Sequence, residues 1–68
     1  MGNLSKYEAE QELYRGSLGN ARIDRAAGIR PDHEGVIRAF IESGMPKERA
    51  VIVAGSLMRE AGFKDGEY

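Results

Sequence analysis

Three glycine-plus-apolar pairs, Gly28-Ile29, Gly44-Met45 and Gly62-Phe63, do most to limit what this chain can fold into. Glycine just past a helix takes the left-handed backbone without steric cost, and the apolar residue behind it packs back on the last turn. Pro31 forbids the helix before it from continuing, while Pro46 both blocks one helix and suits the first position of the next. The segments between these stops therefore read as short helices that need one another for stability. The expectation is an all-α fold: a small three- to four-helix domain with a C-terminal antiparallel helical hairpin. Residues 1–68 would form that single domain, with 1–4 and 64–68 as loose termini.

Ser5-Lys6-Tyr7-Glu8 has the S-x-x-E form of a capping box, in which two otherwise free amide donors are satisfied reciprocally. Leu4 stands where it would staple to Ala9. A first helix is predicted over 6–15, with Tyr7, Ala9, Leu13 and Tyr14 as its apolar members. Gly16 and Gly19 each cost about 1 kcal/mol inside a helix, which predicts a break there. Asn20 would then cap a second short helix over 21–27, turning Ile23, Ala26 and Ala27 inward. Asp32 caps a third helix over 33–43, whose Val36, Ile37, Phe40 and Ile41 oppose a charged ladder of Glu34, Arg38 and Glu42. The fourth helix, over 46–61, places Val53, Leu57, Ala50, Ala61, Ala54, Met58 and Val51 on one arc. Ala50-Val51-Ile52-Val53-Ala54 is β-branched enough to suggest a strand, but its apolar pattern continues at helical spacing and no second strand candidate exists to pair with it.

Composition narrows the function. There is no cysteine, so no disulfide supports the fold, and His33 is the only histidine, which argues against a structural zinc. Ten basic and eleven acidic residues leave a formal net charge of −1, so a coat for nucleic acid is disfavoured. The longest apolar run, 50–54, falls far short of the roughly 20 residues of a membrane span. No charged segment followed by an apolar run opens the sequence, as a secretory signal would require. A cytoplasmic protein with no cofactor, no metal and no membrane partner is expected.

Several groupings invite a sharper reading. Gly16-Ser17-Leu18-Gly19 resembles the G-x-x-G loop of KH-type RNA-binding domains, which clamps nucleic-acid backbone. The resemblance covers those residues alone; Ser17 and Leu18 carry no positive charge and no strands follow, so a flexible hinge is the reading adopted. Arg15, Arg22, Arg25 and Arg30 form the chain's basic concentration, suited to phosphate or to an acidic protein surface. Against this stands an ordinary solvated face that pairs with Glu8, Glu10 and Glu12. The third and fourth helices suggest a helix-turn-helix, with Lys47 and Arg49 in the early turns of the reading helix. Its apolar middle belongs in a core or an interface rather than in a groove of DNA. His33 lies between Asp32 and Glu34, but all three fall in a first turn where acids serve the helix dipole, and no convergent group joins them.

Ile52 is the more informative residue. It falls among Arg49, Ser56 and Arg59 on the polar side of the fourth helix, where a charge would be the ordinary choice. Gly55 and Ser56 beside it are small enough to admit another helix. The function expected is a small non-enzymatic protein-interaction module, an adaptor, inhibitor or assembly component, homo-oligomeric and acting through a helical surface. Its contacts would be Ile52, Ser56 and Arg59, with Tyr7 and Tyr14 as aromatic anchors. The alternative is a nucleic-acid-binding regulator using Arg15, Arg22, Arg25 and Arg30, helped by Lys47 and Arg49.

Overall fold

The computed structural model describes residues 5–68, and all of its regular structure is helical. Three helices follow in order: α1 (Lys6–Ala27), α2 (His33–Glu42) and α3 (Lys47–Ala61). The capping box forms as the sequence dictates. Ser5 Oγ accepts from the Glu8 amide at 3.1 Å, and the Ser5 amide donates to Glu8 Oε1 at 3.3 Å. The expected staple from Leu4 lies outside the described residues.

The largest departure from expectation is α1. Gly16, Ser17, Leu18 and Gly19 do not break it, and Asn20 lies inside one continuous helix rather than capping a second. Two glycines oppose helix by about 2 kcal/mol together. Burying one leucine returns about 1.5–3 kcal/mol, and Leu18 is buried here along with Ala21. A break would also leave two new helix ends with unpaired amides and carbonyls. Continuity then fixes the phase of the second half. Ile23 falls about 200° round the helix from Ala21, so it points outward and is 67% exposed. Ala26 and Ala27 are exposed as well.

The three stops act as expected on the backbone. Gly28 and Gly62 sit in the left-handed region at φ 72° and 106° and close α1 and α3. The apolar followers divide. Met45 and Phe63 are buried, whereas Ile29 is exposed; Pro31, two residues on, is buried. Asp32 caps α2 by accepting from the Gly35 amide at 3.0 Å. A Cβ at Gly35 would collide with that carboxylate.

Contacts between helix ends set the topology. Arg25, near the end of α1, reaches Gly62 at the end of α3, and Arg49, early in α3, faces Glu10 early in α1. His33, opening α2, meets Tyr68 beyond the end of α3. So α1 and α3 run parallel and pack directly on each other, while α2, which comes between them in sequence, lies on another side of α3, antiparallel to it across the Ser43–Pro46 turn. Phe40, Leu57 and Met58 are fully buried at the centre, with Leu13, Tyr14, Val36, Ile37 and Val53 packed around the core. Ala50 and Ala54 are fully buried too, and their small side chains let both neighbours approach α3 closely. Val51 and Ile41, expected inside, are partly exposed. Residues 50–54 are helix, not strand.

Residues 64–68 turn back on the bundle. The Lys64 amide donates to Glu67 Oε1 at 2.7 Å, and the Tyr68 ring stands edge-on to His33 at 4.9 Å between centroids.

Candidate functional site

The residues singled out from sequence separate into three places. The first is a groove between the parallel helices α1 and α3, of about 450 Å³. Leu18, Met45 and Val53 form its apolar floor, and Tyr14 lines one wall. Tyr7 stands at the rim, 67% exposed, its hydroxyl accepting from Gln11 Nε2 at 2.8 Å. Of the apolar members expected of the first helix, Leu13 and Tyr14 pack against the core, whereas Tyr7 does not. Charges of both signs flank the groove, with Arg15 and Arg49 against Glu10 and Glu60. Arg49 Nη2 lies 3.9 Å from Glu10 Oε2. Arg15 forms no ion pair among the described residues.

Tyr14 is committed to the fold. Its ring packs against Phe40 at 6.5 Å between centroids, and its hydroxyl donates to Glu60 Oε1 at 2.6 Å. Burial raises the phenol above its ordinary 10.0, and the bond to Glu60 pushes the same way; Ser56 and Arg22 oppose them. Ser56, one turn before Glu60 on α3, is exposed.

The second place is the outer face of α3. Ile52 points directly away from the core and is 69% exposed. Arg59 lies on the same face, but Nη1 donates to Tyr68 Oη at 3.4 Å and stands 3.8 Å from Asp65. These exposed pairs contribute little stability, yet they keep the Arg59 side chain turned to the tail.

The third is the arginine cluster, and the fold divides it. Arg25 Nε donates to the Gly62 carbonyl at 3.0 Å, while its guanidinium carbon lies 6.0 Å from the centroid of the Phe63 ring. This cation thereby closes the end of α3, a place where positive charge is favoured. Arg22 stands 3.9 Å from Glu60. Arg15 borders the α1–α3 groove, and Arg30 lies in the exposed α1–α2 connection. Lys47 and Arg49 occupy the first turn of α3, but Arg49 is turned toward Glu10. Sequence spacing did not disclose the role of Arg25, because its partner lies 37 positions away.

His33 contributes no convergent chemistry. Its Nε2 is buried without a hydrogen-bond partner, and the ring packs on Tyr68. Among the described residues no three His, Cys, Asp or Glu side chains are grouped to hold a metal ion. No described helix is long and apolar enough to cross a membrane. Comparison with protein-family models, with curated proteins and with solved structures found no significant match.

Proposed function

We propose that this chain is a small non-enzymatic interaction module that works by presenting a helical surface to another protein or to itself. The carrying observation is Ile52, a β-branched apolar residue 69% exposed on the side of α3 opposite the core. A scattered apolar residue is ordinary on a protein surface. This one stands on the same exposed face as Ser56 and Arg59, and Tyr7 offers a second large apolar group at the rim of the nearby groove. Aromatic and arginine side chains beside an apolar contact are the usual anchors of an interface. The cytoplasm is the compartment we propose, on the cysteine-free composition.

The nucleic-acid alternative draws less support. Phosphate binding needs several free cations on one surface, whereas Arg25 is held by Gly62 and Phe63 and Arg22 stands beside Glu60.

The test is Ile52→Glu in the full chain. The substitution is expected to leave helicity unchanged and to reduce recovery of the binding partner by affinity capture from the native host. Capture equal to that of the unaltered chain, together with a monomer in sedimentation at high concentration, would refute an interface on α3.

A further inference from the structure

We infer that residues 64–68 form a displaceable strap that withholds Gly55 and Arg59 from the outer face of α3, latched by the Tyr68 ring against His33. The inference rests on the interaction reading and gives its face on α3 a regulator within the same chain.

The strap is a folded unit on a fixed base. Phe63 before it is buried, and Arg25 Nε holds the Gly62 carbonyl at 3.0 Å. Beyond that anchor, Lys64 and Glu67 are joined twice. The Lys64 amide donates to Glu67 Oε1 at 2.7 Å, and the Glu67 amide donates to the Lys64 carbonyl at 2.9 Å. The Tyr68 hydroxyl donates to Asp65 Oδ1 at 3.0 Å. These bonds tie the strap to itself. Its hold on the helices is slighter: residues 64–67 are exposed, and Tyr68 is half-buried with its ring edge-on to His33 at 4.9 Å. Arg59 supplies the other tie, through Tyr68 Oη at 3.4 Å and Asp65 at 3.8 Å. Exposed pairs of this kind contribute little, so the ring on His33 is the latch. A segment held by one half-buried side chain belongs to the low-stability end of a fold.

The strap takes up a part of the α3 surface that a partner would need. A Cβ at Gly55 would lie 3.5 Å from Arg59 Nη1 and 3.9 Å from Tyr68 Oη. The room that this glycine offers a neighbouring helix is thus filled from within the chain, by the arginine head and the tyrosine hydroxyl. Gly55 and Arg59 both lie within about 60° of Ile52 round the helix. Closed, the strap takes the close-approach position and the cation away from that face; open, it returns both. The closed state also carries a cost. His33 Nε2 is buried with no hydrogen-bond partner, and a buried polar atom left unpaired opposes the burial. Moving the Tyr68 ring off the imidazole relieves this by admitting water.

The test is NMR on the full chain, with Gly66→Ala and Tyr68→Ala as variants. A Cβ at Gly66 meets nothing within 4 Å, so alanine acts there through the backbone alone, which at φ 93° it strains. The unaltered chain is expected to show contacts between the Tyr68 and His33 rings. Gly66→Ala is expected to lose them while its circular dichroism stays helical. With the nitroxide TEMPOL as a solvent probe, relaxation enhancement at Gly55 and Arg59 is expected to rise in both variants to the level of exposed Ile52, and to stay unchanged at Phe40. Ring contacts absent from the unaltered chain overturn the latch, and contacts that persist in Gly66→Ala overturn its release. Enhancements at Gly55 and Arg59 that neither variant raises overturn the cover. The probe needs no partner, and the interaction reading is decided separately by capture with Ile52→Glu, so failure of the strap and failure of that reading are distinguishable.

Discussion

The Tyr14 hydroxyl donates a 2.6 Å hydrogen bond to Glu60 Oε1, joining positions 46 apart in the chain. It fastens two parallel helices that are not consecutive in sequence, α2 coming between them in the chain. The ring beneath it rests on Phe40, so one side chain touches the core and the opposite helix together. Tyr14→Phe keeps the ring and removes only the bond. A cost of about 0.5–1.5 kcal/mol is expected from denaturant unfolding, toward the upper end because the acceptor is charged.

Burial of this phenol, helped by the bond to Glu60, makes stability depend on alkaline pH. The folded Tyr14 phenol titrates above its unfolded value of 10.0, burial being the larger cause and Glu60 the next. The folded state therefore holds its proton where the unfolded state has released it. The contribution is complete below pH 10 and is lost as pH rises through the folded value. Melting curves at pH 8 and above pH 10 are expected to show a smaller fall for Tyr14→Phe than for the unaltered chain. An equal fall would assign the alkaline loss to other groups.

Gly16 and Gly19 carry an instructive prediction because a Cβ at either would meet nothing within 4 Å. Each lies in helical backbone, so alanine brings its higher helix propensity without a clash. Gly16→Ala and Gly19→Ala are each expected to stabilise by about 0.4–1 kcal/mol in urea titration. Gly62→Ala, at φ 106°, is expected to destabilise instead. A loss of stability in Gly16→Ala would mean that α1 does not remain helical there in solution.

These glycines also mark where sequence reading stops being sufficient. Helix ends were legible because capping is local: Ser5 with Glu8, Asp32 with Gly35, and Gly62 at its left-handed turn are settled within a few residues. The core face of α3 was legible because one period runs through Ala50, Ala54, Leu57 and Ala61. Continuity of α1 was not, since it depends on what Leu18 and Ala21 bury against in a helix far along the chain. Ile23 followed that error, because its direction depends on the phase of an unbroken helix. Of the site, the outward position of Ile52 could be read from periodicity alone. The meeting of Tyr7, Arg15 and Arg49 at one groove could not, since it requires α1 and α3 to lie parallel. Ile29 departs from expectation too: its amide bonds back to the Asp24 carbonyl as a helix stop requires, yet its side chain is exposed and Pro31 is the buried residue of that connection.

Arg25 closes the ends of α1 and α3 together through the Gly62 carbonyl and the face of Phe63. Arg25→Ala is expected to cost about 1 kcal/mol, which lowers the melting midpoint by about 4–8 °C in a domain of this size. Arg25→Lys is expected to recover only part of that, because an ammonium lacks the planar guanidinium that stacks on a ring. Arg15→Ala, with no partner among the described residues, is expected to leave the midpoint almost unchanged. Equal effects of the two alanine substitutions would return Arg25 to the solvated surface.

Leu57 and Ile52 lie five residues apart on α3 and face opposite ways, one fully buried and the other 69% exposed. Their contrast measures how much of this chain is core. Leu57→Ala removes a side chain surrounded on all sides, and such truncations cost about 2–5 kcal/mol. A domain of this length has a total stability of about 3–10 kcal/mol at the usual per-residue value, so the loss takes a large share of it. Circular dichroism at 37 °C is expected to show Leu57→Ala substantially unfolded. Ile52→Ala, with little to lose from the fold, is expected to remain within about 0.5 kcal/mol of the unaltered chain. The two should also separate in association: any effect of Ile52→Ala on partner recovery would then come from a folded protein and not from a depleted one. If Ile52→Ala destabilises as much as Leu57→Ala under dilute conditions, Ile52 is packed within its own chain and its place on an outer face is refuted.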